Sequence, residues 1–390
     1  MNYHIMIQDK FIDSYIEDIY DINEEKNNFF WIRGNKGDSK YLNTTKTIEY
    51  IGNNKTEILD RLKCIDKNDC VFVHWYDSFI ADILMNIENR LFVMMWGGEF
   101  YELPELYHSK WVLDNLTYKK FKYPEHPQKQ KSLNPIKILK RLNWKKKLKK
   151  NLPEEYEKRN NQIGRIDYLV CMEDDNEEIK KINSLFPKFK AKHVFGFYDQ
   201  NLNLSVKNKK DTRTALGSVN ILFGNSATES NNHLDAFTIL QKMNNVNIYC
   251  PLSYGSDKYK KYIIKEGYKF FRKNFFPIID FQSKEDYVKL LNKMDVLVMF
   301  HNRQQALGNM IIGMGLGKPV FIKDNNVLKT YFNKIGVTTF SSDKISIESI
   351  KEAILISENN KTTNIEILNS KLSRDVRLSN LKNLMTNYAK

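Results

Sequence analysis

The chain has 390 residues, 42% of them hydrophobic, and a formal net charge of +14. That hydrophobic fraction excludes a disordered protein, and the length suits two domains of ordinary size. No uninterrupted apolar run reaches the roughly 20 residues of a membrane span, because Asp77, Asp82 and Glu88 break up the richest region.

The N-terminal residues Met1 to Ile7 read as a first strand rather than a charged, apolar export signal, which predicts a cytosolic protein. Strand-like runs follow at Phe29–Arg33, Thr47–Ile51, Val71–Trp75, Leu91–Trp96, Tyr168–Met172 and His193–Phe197, with helix-like runs such as Ser78–Ile87 and Asn176–Ser184 between them. Strands separated by helices predict a parallel sheet covered on both faces. Asp199 to Ser218 is polar and without periodicity, as expected of a linker. The alternation then restarts, with strands at Val219–Phe223, Val246–Cys250, Val296–Phe300, Pro319–Ile322 and Val337–Phe340. The matching helices are Asn232–Met243, Asp257–Glu266, Lys284–Lys293, Gly308–Leu316 and Ser346–Ser357. Ser283 with Asp286 has the spacing of a helix cap. The predicted architecture is α/β, two doubly wound Rossmann-like domains over 1–203 and 204–390 facing across a cleft. Ligands bind such sheets beyond the C-terminal ends of the strands. Cys64, Cys70, Cys171 and Cys250 have no metal-like spacing and read as core thiols.

Four segments carry candidate chemistry, each at a strand end. Gly224-Asn225-Ser226 with Ser230 and Asn231 forms a turn rich in hydroxyls and amides before a helix, suited to an anion. Arg303-Gln304-Gln305 with Gly308 adds a guanidinium able to pair with a diphosphate. Pro251 to Gly255 places Tyr254 at a third strand end. In the first half, Trp96-Gly97-Gly98-Glu99 lets backbone approach a ligand closely and offers a carboxylate beside it. His74 and Asp77 lie at the neighbouring strand end. The Asp-x-Asp metal motif, a Gly-x-Gly-x-x-Gly turn after a strand and a Walker-type loop are all missing from the sequence, which disfavours hydride transfer and ATP hydrolysis.

With these residues in view, the chain resembles glycosyltransferase family 56. The resemblance runs through Trp96 to Leu103, Gly224 to Ser226, Ser230, Asn231, His233, Pro251, Tyr254, Arg303 to Gln305 and Gly308, with His74 in addition. It implies a GT-B glycosyltransferase that needs no metal or other cofactor. The donor nucleotide would lie in the C-terminal domain and the acceptor in the N-terminal one. Gly224, Asn225, Ser226, Ser230 and Asn231 would hold the donor diphosphate, with Tyr254, Arg303, Gln304, Gln305 and Gly308 around nucleotide and phosphate. Gly97, Gly98, Tyr101 and Asp77 would lie on the acceptor side. If the enzyme inverts configuration, Glu99 is the first choice for the base and His74 the second; if it retains, Glu99 only orients the acceptor. Many GT-B enzymes carry two glutamates eight positions apart before a Gly-x-Pro-Val stretch, the second gripping the ribose. Counted back from Gly317-Lys318-Pro319-Val320, these positions are Gln304 and Ile312 here. A lost ribose contact fits a deoxyribose, hence a dTDP-sugar such as an N-acetylfucosamine-like deoxy-aminosugar. UDP- or GDP-sugar transfer to another glycan is the enzyme alternative, and a non-catalytic sugar-nucleotide-binding scaffold the other.

Acceptors in that family are polyprenyl-diphosphate-linked glycans, which stay in the bilayer. Between His126 and Pro153 the sequence holds ten cations and no acid, leaving a net +4 for the rest of the chain. Pro135 would open a helix in which Ile138, Leu139, Leu142, Trp144 and Leu148 lie among Lys140, Arg141, Lys145, Lys146, Lys147, Lys149 and Lys150. Such a helix suits an anionic leaflet. No aromatic platform for single strands accompanies the charge, so nucleic acid is not the expected partner. The expected place is peripheral, on the cytoplasmic face of a bacterial inner membrane.

Overall fold

The computed structural model describes residues 1–9, 11–37, 42–101, 112–121, 153–172, 177–198 and 217–388. The membrane candidates from Lys140 to Lys150, and most of the expected linker, lie outside these residues. The chain divides into two compact units. Unit 1 comprises Met1–His108, Pro124–Asp199 and Arg374–Lys390; unit 2 comprises Ser109–Tyr123 and Gln200–Ser373.

Unit 1 is a seven-stranded parallel sheet. Its strands are β1 (Asn2–Met6), β2 (Asn28–Arg33), β3 (Glu49–Ile51), β4 (Cys70–His74), β5 (Arg90–Met94), β6 (Tyr168–Cys171) and β7 (Lys192–Phe195), in the order β3-β2-β1-β4-β5-β6-β7. The central strands β4 and β5 are buried on both faces, as unbroken apolar runs in covered parallel sheets are. The crossovers include α1 (Ile12–Asp21), α2 (Lys55–Lys63), α3 (Ser78–Leu84), the single turn α4 (Gly98–Tyr101), α6 (153–164) and α7 (Glu177–Leu185). Asn54 caps α2 and Asp77 caps α3, each side chain accepting backbone N–H bonds of the first turn.

Unit 2 is a six-stranded parallel sheet: β8 (Val219–Phe223), β9 (Val246–Pro251), β10 (Phe275–Ile278), β11 (Val296–Met299), β12 (Val320–Ile322) and β13 (Phe340–Ser341), ordered β10-β9-β8-β11-β12-β13. Its helices are α5 (Asn115–Phe121), α8 (His233–Leu240), α9 (Asp257–Phe271), α10 (Lys284–Asn292), α11 (Leu307–Gly315), α12 (Val327–Ile335) and the long α13 (Ile347–Leu372). Ser283 caps α10 as its spacing predicts, accepting the Asp286 N–H at 3.1 Å. In each sheet the strand order reverses beside the first strand, between β1 and β4 and between β8 and β11. The two switch points are where such folds bind ligands.

The expected doubly wound α/β architecture is present in both units. The division of the chain falls between Asp199 and Gln200 rather than between 203 and 204, and two further segments change sides, each with a visible cause. The C-terminal helix α14 (Arg374–Asn383) returns to unit 1, where Arg377 donates Nε to Asp18 Oδ2 at 2.7 Å and Nη2 to Asp18 Oδ1 at 2.9 Å, both side chains buried. A paired buried charge leaves little freedom to undock, because separating it strands both ions. Conversely, α5 belongs to unit 2, because Asp235 on α8 accepts the N–H groups of Leu116 and Thr117 and the Thr117 hydroxyl, all within 2.9 Å.

Candidate active site

The best-defined polar cluster sits at the switch point of unit 2. Gly224 ends β8 at φ +70, and a Cβ there would lie 2.5 Å from Asn231 Oδ1, so backbone conformation and space both require glycine. Asn231 is fully buried and ties the loop together. Its Oδ1 accepts the Asn225 N–H at 2.9 Å, while its Nδ2 lies within 3.3 Å of the carbonyl and hydroxyl oxygens of Ser226 and Thr228. A backbone donor on Oδ1 identifies that atom as oxygen, so His301 Nε2, 2.9 Å away, must carry the hydrogen. Ser226, Thr228 and Ser230 hydroxyls continue in a chain at 3.0 Å steps, and Ser230 donates to Gln305 Oε1 at 2.7 Å. Gln305 Nε2 returns to Asn225 Oδ1 at 2.9 Å, closing the network.

A third loop joins through backbone. Ala227 N–H donates to Tyr254 O and Ser256 N–H to Ala227 O, and Gly255, at φ +108, lets the two chains approach. Asn225 Nδ2 then donates to the Tyr254 hydroxyl at 2.8 Å, leaving the ring half exposed at the loop rim. The three predicted segments of this unit are therefore one assembly. Two details differ from the sequence reading. Helix α8 starts at His233, after a 3-10 turn over Glu229–Asn231 and a left-handed Asn232, so no helix end lies at Gly224. The helix start beside the cluster is instead that of α11, whose N-cap Ala306 (φ +63) has no side-chain group to bond the first N–H groups at Leu307 to Asn309, Gly308 among them. Arg303 is 6% exposed, turned inward, with Nη1 donating to the Gln304 carbonyl at 2.9 Å.

Several contributors were missed in the sequence. Asn326 caps α12 and also donates to the carbonyls of His301 and Arg303, both at 2.8 Å, fixing the loop that carries Arg303. An Asn before the apolar pair Val327-Leu328 was a legible cap signal. Asp114 accepts from Asn302 at 2.9 Å and from Lys323 at 2.5 Å, and its own N–H donates to Asn232 Oδ1. Nothing local in the sequence announces those pairings.

In unit 1 the Gly97–Glu99 turn follows β5. Gly97 has φ +97, and Gly98 lies under the Trp75 ring, where a Cβ would meet the indole at 2.4 Å. Trp96 stands edge-on to Trp75, Phe11 and Tyr198. Glu99 is 2% exposed rather than at an open edge; its Oε1 accepts the Trp96 N–H at 2.8 Å, and its carbonyl accepts from buried Arg159 at 2.7 Å. Tyr101 is buried beside it. Asp77, besides capping α3, pairs with Arg33 at 3.0 Å, which gives it a structural place.

His74 differs most from its expected role. Asn28 Nδ2 donates to the Glu24 carbonyl, so its Oδ1 must accept from His4 Nε2, at 2.7 Å. His4 Nδ1 then accepts from His74 Nε2 at 3.3 Å, and His74 Nδ1 accepts the Tyr198 hydroxyl at 2.5 Å. Both nitrogens of this fully buried ring are used inside the fold, which makes His74 part of an internal polar chain rather than a base.

Burial also dictates a pH response. Desolvation lowers the His4 pKa to about 4 and that of His233 to about 3, and holds His74 and His301 well below the usual value. Each group is neutral when folded and gains a proton on unfolding below pH ~6.5. Their stabilising effect is therefore complete above that pH. It is lost as the pH falls toward the folded pKa values, at about 1.4 kcal/mol per pH unit per histidine. The melting temperature at fixed ionic strength is expected to drop steadily from pH 7 to pH 4; a flat profile would refute the neutral-histidine assignment.

The two doubly wound units have the GT-B fold. The chain superimposes on sucrose-phosphate synthase from Thermosynechococcus elongatus with a TM-score of 0.60, at 7% identity, over 100% of this chain and 99% of the other. It is likewise similar to the UDP-forming α,α-trehalose-phosphate synthase of Burkholderia vietnamiensis (TM-score 0.57, 7% identity, 100% and 99% covered). The Burkholderia xenovorans synthase in complex with glucose-6-phosphate gives 0.57 at 9% identity, with 99% of both chains covered. At such identities the likeness is one of fold. The family is given by sequence: residues 177–373, half of the chain, match the 4-alpha-L-fucosyltransferase, glycosyl transferase group 56 family. The chain belongs to that family and is a glycosyltransferase.

Proposed function

We propose that the protein moves a deoxy-aminosugar, N-acetylfucosamine-like, from a dTDP-sugar to a polyprenyl-diphosphate-linked glycan of a surface polysaccharide. The observation that carries the donor side is the closed network of Asn225, Ser226, Thr228, Ser230, Asn231, His301 and Gln305. Its side chains are amides, hydroxyls and a neutral imidazole, with Arg303 on the adjoining loop and no carboxylate among them. Such a set suits a diphosphate without a bridging metal, whose ligands would include carboxylates. Arg303 and the start of α11 would stabilise charge on the departing diphosphate. Tyr254, half exposed at the rim, would stack on the nucleotide base. Ile312, at a position where a ribose-gripping carboxylate is expected in this fold, supports a deoxyribose. On the acceptor side, the Gly97-Gly98 turn and Glu99 would orient the sugar hydroxyl, and Glu99 would accept its proton. The basic segment 126–153 would hold the enzyme on the cytoplasmic face of the bacterial inner membrane.

The test is thermal shift with dTDP, UDP, GDP and ADP, without added metal. At a hundred times its dissociation constant a ligand stabilises by about 2.7 kcal/mol, a shift easily read. Selective stabilisation by dTDP is expected. The trehalose-phosphate synthases similar in fold are named as UDP-forming. A preference for UDP here would overturn the deoxyribose argument and keep the transferase.

A further inference from the structure

Among the described residues, one edge of unit 2 joins features that are otherwise scattered. Tyr254, Tyr268, Phe276, Ile279 and Phe281 are between 40% and 73% exposed, all within one stretch of chain. The other strongly exposed large apolar side chains among the described residues, Met1, Phe29, Met85, Leu116 and Leu355, lie singly in sequence, as such residues commonly do. Between Asp257 and Phe281 the sequence also places seven cations against three acids. Two of those acids, Asp257 and Glu266, are paired with Lys260 at 3.0 Å and Lys269 at 2.7 Å. Lys261, Lys265, Arg272 and Lys273 are exposed and form no ion pair among the described residues.

Helical spacing arranges these groups. Lys261, Lys265 and Tyr268 recur at three or four residues and so share one stripe of α9, and Arg272 follows as the cap at its C-terminal end, with φ +51. Tyr268 leans on Phe275 of β10, ring centroids 5.5 Å apart, which turns that stripe toward the free edge of the sheet. Phe276, the next residue of the strand, points to the opposite face, where it stacks on Tyr249, and Ile279 and Phe281 follow β10 as it leaves the sheet. That exit is at the C-terminal end of the strands, the end that carries the donor loops. Pro277 deprives the edge strand of a backbone donor, which opposes strand-to-strand pairing with a second copy.

We infer that this edge, the α9 stripe with Arg272, Ile279 and Phe281, is a docking surface for an anionic phospholipid bilayer. Lysine and arginine beside exposed phenyl and aliphatic groups is the composition of an interfacial contact, in which cations meet headgroups and apolar side chains enter the boundary. Aromatic rings beside cations also stack unpaired bases, but the aliphatic Ile279 offers no ring to stack, which favours the bilayer and leaves RNA binding as an outcome of the test. The surface lies wholly within unit 2 and is distinct from the basic segment 126–153. It rests on the reading above only in that a lipid-borne acceptor gives membrane docking a purpose.

The experiment is co-sedimentation of the full chain, without donor or acceptor, with phosphatidylcholine vesicles lacking or containing phosphatidylglycerol. Lys261→Gln/Lys265→Gln/Arg272→Gln should weaken binding to the anionic vesicles roughly a hundred-fold, on the scale for cations near a charged surface. Ile279→Ser/Phe281→Ser should weaken it on the order of ten-fold, and at high salt as well. Both variants should keep the parent's nucleotide-induced thermal shift, which shows folding and separates this result from failure of the donor assignment. Unchanged vesicle binding by both variants would overturn the inference, as would binding lost only when Lys145 to Lys150 are replaced. So would loss of RNA binding, or of a concentration-dependent dimer, with vesicle binding intact.

Discussion

Replacing Asn231 with alanine is expected to weaken donor binding strongly while unit 1 remains folded. The side chain is fully buried, and its loss leaves the Asn225 N–H without its acceptor and His301 Nε2–H with only Asn225 Oδ1, at 3.2 Å. Each unsatisfied buried donor costs about 1–3 kcal/mol. The loop from Gly224 to Ser230 also loses the amide that gathers the Ser226 and Thr228 oxygens. Nucleotide affinity is expected to fall on the order of a hundred-fold or more, since a loop that must be ordered on binding weakens it. Gly224→Ala approaches the same lesion from the other side: its Cβ would displace Asn231 Oδ1, and φ +70 disfavours any side chain. Because the two act on one contact, the double variant should be little worse than either single one. Wild-type nucleotide shifts in either single variant would show that the network is packing rather than a binding site.

Much of this loop assembly was legible because its information is local. A buried apolar strand, a glycine and a run of hydroxyls and amides identify β8 and its turn in the sequence, and the same holds after β9 and β11. What was not legible depends on partners distant in sequence. Asp114 reaches Asn302 and Lys323 across 188 and 209 residues, and α14 leaves the second unit because Asp18 waits in the first. Strand β10 escaped notice because Pro277 interrupts a short run, which an edge strand tolerates. Helix α13 extends to Leu372, well past the predicted Ser357, since its polar residues give little periodicity to read. His74 was misjudged for a related reason. A histidine at a strand end looks available, and only the fold reveals that His4, Asn28 and Tyr198 enclose it.

Glu99→Gln is expected to retain donor binding and lose sugar transfer, by about a hundred- to ten-thousand-fold, the usual contribution of a positioned general base. Glutamine is the informative substitution because Glu99 has two separable tasks. Its Oε1 accepts the Trp96 N–H and thereby holds the Gly97-Gly98 turn. An amide oxygen can take over that bond with nearly the same shape, but an amide cannot accept the proton of an acceptor hydroxyl. If Glu99 only fixes the turn, the glutamine variant will stay close to wild type in kcat and thermal stability. If it is the base, kcat will collapse while the melting temperature and the nucleotide shift do not move. Glu99→Ala should lose both tasks, since it removes the bond to Trp96 and opens a space beside Arg159, whose Nη2 is bound to the Glu99 carbonyl. Its stability loss, about 1–3 kcal/mol for an unsatisfied buried N–H, calibrates the structural share. The gap between the two variants then measures the chemistry directly: equal kcat with unequal stability assigns Glu99 to proton transfer, whereas a kcat that follows stability assigns it to the turn.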